Sequence, residues 1–146
     1  MSATHPFRKA VEEGDEAAIQ ALLADDVVFT SPVAFKPYVG KPITAAILRG
    51  VLRVFEDFRY VREIHDSSGG NHAFEFEAGI AGAPRVTVNG CDFLHVNDDG
   101  LIDDLKVMVR PLSGATALAE AMGAQFGRIQ QEAVELADQF TKASTA

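Results

Sequence analysis

A carboxylate on the apolar face of a strand can do chemistry that the same group in water cannot, and Asp92 occupies such a position. It lies in Arg85–Val96, where strand alternation places Val86, Val88, Gly90, Asp92, Leu94 and Val96 on one face. Burying an unpaired carboxylate costs several kcal/mol by order of magnitude, so the group is protonated, paired or functional. Desolvation raises its pKa, and the acid can then donate a proton to a bound carbonyl or hydroxyl, or accept one. The alternative is a structural acid paired with an arginine, a lysine or a backbone amide.

Other side chains converge on the same face if alternation holds. Phe29 and Ser31 share one side of an earlier strand, and Ser31 either orients a ligand or bonds the local backbone ahead of Pro32. Phe7, Phe55, Phe74 and Phe76 form an aromatic set that lines an apolar site or fills ordinary core. Val88 and Leu94 flank Asp92, and Leu105, Val107 and Val109 alternate on the last strand. Tyr38, within Lys36-Pro37-Tyr38-Val39-Gly40, either covers the pocket mouth with a phenol or anchors its loop. Asp92 is therefore the candidate catalytic residue, and the others are the candidate ligand pocket.

Several function classes are disfavoured. The 146 residues carry a formal net charge of −8, which argues against nucleic acid or an acidic membrane as partner. His5, His65, His72 and His95 include no pair at metal-ligand spacing, and Cys91 is the lone cysteine, so no metal site is expected. No Ser-His-Asp set with supporting motifs is visible, and Gly69-Gly70 lacks the helix context of a phosphate loop. No cofactor is expected. One cysteine, no apolar signal core in Met1–Pro6 and no membrane-length apolar run point to the cytoplasm.

The elements that position these residues follow from periodicity. Phe7–Glu13 predicts a helix broken by Gly14, and Asp15 caps a second helix, Glu16–Leu23. Ala24-Asp25-Asp26 predicts a turn, Val27–Ser31 a strand, and Pro32–Pro42 an irregular loop. Thr44–Glu56 has helical spacing. Four strands follow, Phe58–His65, His72–Ile80, Arg85–Val96 and Leu101–Arg110, with a hairpin at Asn97-Asp98-Asp99-Gly100. Gly114–Lys142 is an amphipathic helix weakened by Gly123 and Gly127, and Ala143–Ala146 is a disordered tail. The expectation is one α+β domain over 1–146, with its core at about 7–111 and the C-terminal helix at 112–142. A cone-like, curved antiparallel sheet wraps around the N-terminal helices. The outer sheet face, with Thr87, Asn89, Cys91, Phe93, His95, Lys106, Met108 and Arg110, suits a homodimer contact.

Several strings in this order resemble the nuclear transport factor 2-like superfamily, in its SnoaL-like and ketosteroid isomerase-like branch. They are Gly14-Asp15, Leu23-Ala24-Asp25-Asp26-Val27, Ser31-Pro32-Val33, Gly40 with Thr44-Ala45-Ala46-Ile47, Asp92-Phe93, Asp99-Gly100-Leu101-Ile102 and Val109-Arg110-Pro111. The resemblance spans about Phe7 to Pro111 and implies a cone-like fold, an apolar pocket and a homodimer. In the isomerases it implies a tyrosine on the first helix, a base aspartate before the proline ending the first strand, and a protonated aspartate on a late strand. Here those positions hold Phe7, Ser31 and Asp92. The functional expectation is a binder of an apolar small molecule. It is either a cofactor-free isomerase, cyclase, dehydratase or hydrolase using Asp92, or a non-catalytic ligand-binding or dimeric module.

Overall fold

The computed structural model describes residues 4–145. Helix α1 (Pro6–Glu13) ends at Gly14, whose φ of 65° is the left-handed conformation that glycine adopts without a Cβ clash. Asp15 then caps α2 (Glu16–Leu22) by accepting from the Ala18 amide at 3.1 Å. Strand β1 (Leu23–Thr30) begins earlier than its pattern predicts and absorbs Ala24-Asp25-Asp26. Its pairing shifts register between Leu23 and Val28, which leaves Asp25 and Asp26 exposed without ending the strand.

The expected loop contains a two-residue strand, β2 (Tyr38–Val39), paired with β1. Helix α3 (Lys41–Val54) then leads directly into β3 (Phe55–His65), followed by β4 (Asn71–Ile80), β5 (Ala83–Val96) and β6 (Ile102–Arg110). Helix α4 (Leu112–Thr145) continues through the expected tail at Ala143–Thr145, and Ala146 lies outside the described residues.

The fold is α+β, with a six-stranded sheet in the order β2-β1-β6-β5-β4-β3. It is mixed rather than wholly antiparallel: β1 enters beside β6 in the parallel sense, with Phe29 opposite Leu105. The long connection between those strands permits that direction, which local alternation does not specify. Phe74, Phe76, Ala78 and Ile80 of β4 and Val88 and Leu94 of β5 are buried on the inner face.

Helix α4 packs along α3. Glu132 is buried between them and accepts from Arg49 Nη1 at 2.8 Å and Arg53 Nη2 at 2.8 Å. These charge-assisted bonds, from Arg53 first and then Arg49, hold the Glu132 carboxyl below its usual range. No helix among the described residues is long and apolar enough to cross a membrane.

Candidate functional site

The inner face of the sheet, α1, α3 and α4 enclose a cavity. About 70 Å³ of it is open to the centres of water-sized spheres. One water needs roughly 10–15 Å³ on that measure, so a small organic molecule fits. Asp92, Phe7, Phe29, Ser31, Phe55, Phe76 and Val107 are on its wall. Alternation on β5 explains Asp92: it sits in the ladder between Phe74 of β4 and Val107 of β6.

Tyr38, Phe74, Val88, Leu94, Leu105 and Val109 do not line the cavity. The face to which most of them belong is longer than the hollow, and its ends are filled. Phe74 is fully buried, its ring 6.3 Å from that of Phe7. Val88 lies under the start of α4 at Gly114. Leu94 and Leu105 are buried core, and Val109 borders a shallow groove on the outer face. Tyr38 sits on β2 with its ring 6.2 Å from Phe126 of α4, so it anchors that strand to the helix.

Tyr60 is the polar residue that sequence reasoning missed. Its hydroxyl donates to Asp92 Oδ2 at 2.6 Å, and both residues are buried, at 5% and 7% exposure. The partner of Asp92 is thus a phenol rather than a cation or an amide. Two register shifts in β3, between Glu56 and Arg59 and between Tyr60 and Arg62, set this geometry. Asp57, at φ 52°, takes up the first shift, which lets Phe55, Phe58 and Tyr60 all face the cavity despite unequal spacing. The Phe58-Arg59-Tyr60 alternation was the available signal. Helix α3 supplies Ile47, Leu48, Val51 and Leu52 to the wall, and α4 supplies Leu118 and Met122. Val11, Ile19, Pro32 and Val33 complete it.

The electrostatics follow from this wall. Burial raises the Asp92 carboxyl to about 7, opposed by the hydrogen bond from Tyr60. Burial, and then the neighbouring Asp92, push the Tyr60 hydroxyl well above its ordinary range. Near neutrality Asp92 populates both forms. When protonated on Oδ1, it still accepts from Tyr60 through Oδ2 and has a proton to offer a ligand oxygen. Ser31 reaches the wall, but its Oγ accepts from the Val33 amide at 3.1 Å, a local turn contact.

His5 meets the hairpin pair His65 and His72 where α1 docks on β3 and β4. His65 Nδ1 and His72 Nδ1 are 2.6 Å apart, so one donates and the other accepts, and the His5 ring is 4.6 Å from that of His72. Burial first, then His72 and His65, lower His5 to about 4, so its Nδ1 accepts from the Phe7 amide at neutral pH. Among the described residues no group of three or more His, Cys, Asp or Glu side chains is arranged to hold a metal ion.

With this geometry in place, the relationships of the chain are informative. Residues 5–105 match the SnoaL-like domain, so the chain belongs to the SnoaL-like family. No curated protein matches it. Among solved structures, a steroid delta-isomerase from Pseudomonas aeruginosa is 38% identical with a TM-score of 0.77, covering 86% of this chain and 89% of its own. An uncharacterized protein with a cystatin-like fold from Silicibacter pomeroyi is 37% identical, with a TM-score of 0.75 and 82% of each chain covered. An LEH-like epoxide hydrolase from M. tuberculosis shares the fold at 23% identity and TM-score 0.60, covering 84% of this chain and 91% of its own.

Proposed function

We propose that this protein binds a compact, largely apolar molecule with its carbonyl or hydroxyl oxygen against Asp92. Asp92 then acts as acid or base in a cofactor-free isomerisation, cyclisation, dehydration or hydrolysis. The observation that carries this reading is the Tyr60–Asp92 pair on an otherwise apolar cavity wall. An acid titrating near the working pH serves either role best. Apolar walls strengthen its one polar contact by excluding water. The 38% identity to a steroid delta-isomerase supports ring-bearing carbonyl compounds as the substrate class. Tyr60 contributes a phenol beside the acid, from β3 rather than from the first helix, where Phe7 stands.

A second reading, binding without turnover, draws on a specific observation. Among the described residues, Asp92 and Tyr60 are the titratable side chains on the cavity wall, and no second carboxylate or imidazole joins them. The two readings share a binding test. Fluorescence titration with 2-naphthol and with naphthalene, which lacks the hydroxyl, should show naphthol binding about tenfold more tightly, the worth of one hydrogen bond. Asp92→Leu should remove that preference while retaining naphthalene binding. Equal affinity of the wild type for both molecules would reject Asp92 as the ligand's polar contact.

The outer sheet face is proposed as a homodimer surface. Ile64 and Met108 are each 55% exposed there and Phe93 41%, around a shallow groove that includes Cys91. The wild type should show twice the chain mass by light scattering, and Phe93→Asp should yield the monomer. A monomeric wild type at micromolar concentration would count against the surface. Cytoplasmic residence is proposed on the unpaired Cys91.

A further inference from the structure

Helix α4 is fixed on both sides of the cavity. At its start, a Cβ on Gly114 would lie 2.7 Å from Val88 Cγ1 and 3.1 Å from the Thr87 carbonyl oxygen, so only glycine lets the helix approach β5 this closely. Farther along, a Cβ on Gly50 of α3 would lie 2.7 Å from Ile129 Cδ1, and Glu132 is clamped by Arg49 and Arg53 three residues later. Between these anchors Leu118 and Met122 reach the cavity wall.

The remaining walls are constrained differently. Sheet residues are held by the ladder, and those of α3 by the helix that leads into β3. Leu118 and Met122 lie well past the family match, which ends at residue 105. Leu118 is 3% exposed, and Met122 is a flexible, unbranched side chain whose Cε sits 3.7 Å from the position of a Gly50 Cβ. Their size therefore sets part of the free space in the cavity that Asp92 and Tyr60 also line.

We propose that Leu118 and Met122 are specificity-determining residues that cap the size of the ligand the site admits. This rests on the ligand-pocket reading above. Two phenols of different bulk test it: 2-naphthol, with two fused rings, and 1-hydroxypyrene, with four. Affinities come from fluorescence titration of the purified full chain, with folding checked by thermal melt. Wild type should favour naphthol, while Met122→Ala and Leu118→Ala should each shift the ratio toward hydroxypyrene by about tenfold, the low end of what one methylene is worth in an apolar pocket. Met122→Phe should weaken naphthol binding instead.

Leu136→Ala is the control, because Leu136 is buried on the same helix but does not line the cavity. It should leave the ratio unchanged. Naphthol binding with a ratio unmoved by all three roof variants would overturn the size-selecting role alone. So would an equal shift in Leu136→Ala, which would mean general loosening of the helix. Absence of binding by every variant and the wild type would overturn the ligand-pocket reading as well.

Discussion

Asp92→Asn should make the protein more stable at alkaline pH. The folded state holds the Asp92 proton until about pH 7, whereas the unfolded chain releases it near 3.8. Between those values the folded state binds more protons, so stability falls as pH rises through the window and is flat above it. The penalty accumulated by pH 8 is on the order of 4 kcal/mol, because each pKa unit corresponds to about 1.4 kcal/mol. Asparagine keeps an oxygen to accept from Tyr60 and removes the charge. Denaturant unfolding should therefore show the variant ahead by about 2 kcal/mol or more at pH 8, with the advantage vanishing near pH 4. Tyr60→Phe should move the Asp92 titration further upward, read by carboxyl NMR, because the phenol favours the charged form. A variant less stable than wild type at pH 8, with the deficit shrinking toward pH 4, would mean that the ionised carboxylate is a structural fixture. Such a cost at a buried acid accords with the proposed acid–base role of Asp92.

Gly90→Ala should cost about 3 kcal/mol, roughly a 10 °C fall in Tm for a chain of this size. A Cβ at Gly90 would collide with Phe76 Cζ and lie 2.7 Å from the backbone oxygen of Met108. The ring has somewhere to go, since it borders the cavity, but the carbonyl is fixed by the β5–β6 ladder. Displaced toward the hollow, Phe76 should also weaken naphthol binding. Phe76→Leu in the same chain should restore part of the lost stability by relieving the ring contact. A melt within about 2 °C of wild type for Gly90→Ala alone would show that the close approach of Phe76 to this glycine is not what packs the cavity floor.

These expectations differ in how far local sequence supports them. Alternation in β5 was legible because period two is a property of a single strand. It put Val88, Gly90, Asp92 and Leu94 on one face, and all four are buried. The α1–α2 junction was legible for the same reason, since Gly14 and Asp15 act on their own neighbours. Tyr60 was not, because two bulges in β3 decide which of its side chains turn inward, and bulges answer to the partner strand. Val88, Leu94 and Leu105 were placed on the correct face, but alternation says nothing about where along that face the space remains empty.

The C-terminal helix shows the same division. Its stripe of Leu118, Met122, Ile129 and Leu136 declared that it must pack, and three of those side chains are almost wholly buried. Nothing in the stripe declared that its first half would roof a cavity while its second half gripped Arg49 and Arg53. Among the described residues, the sequence alone settled the four helices, five of the six strands and the inward aim of Asp92, since each depends on residues a few positions apart. Tertiary packing chose the phenol beside that acid, the parallel entry of β1, the meeting of His5 with His65 and His72, and the boundary of the cavity. Each of these depends on residues that approach one another only after the chain has closed, and no local period encodes that distance.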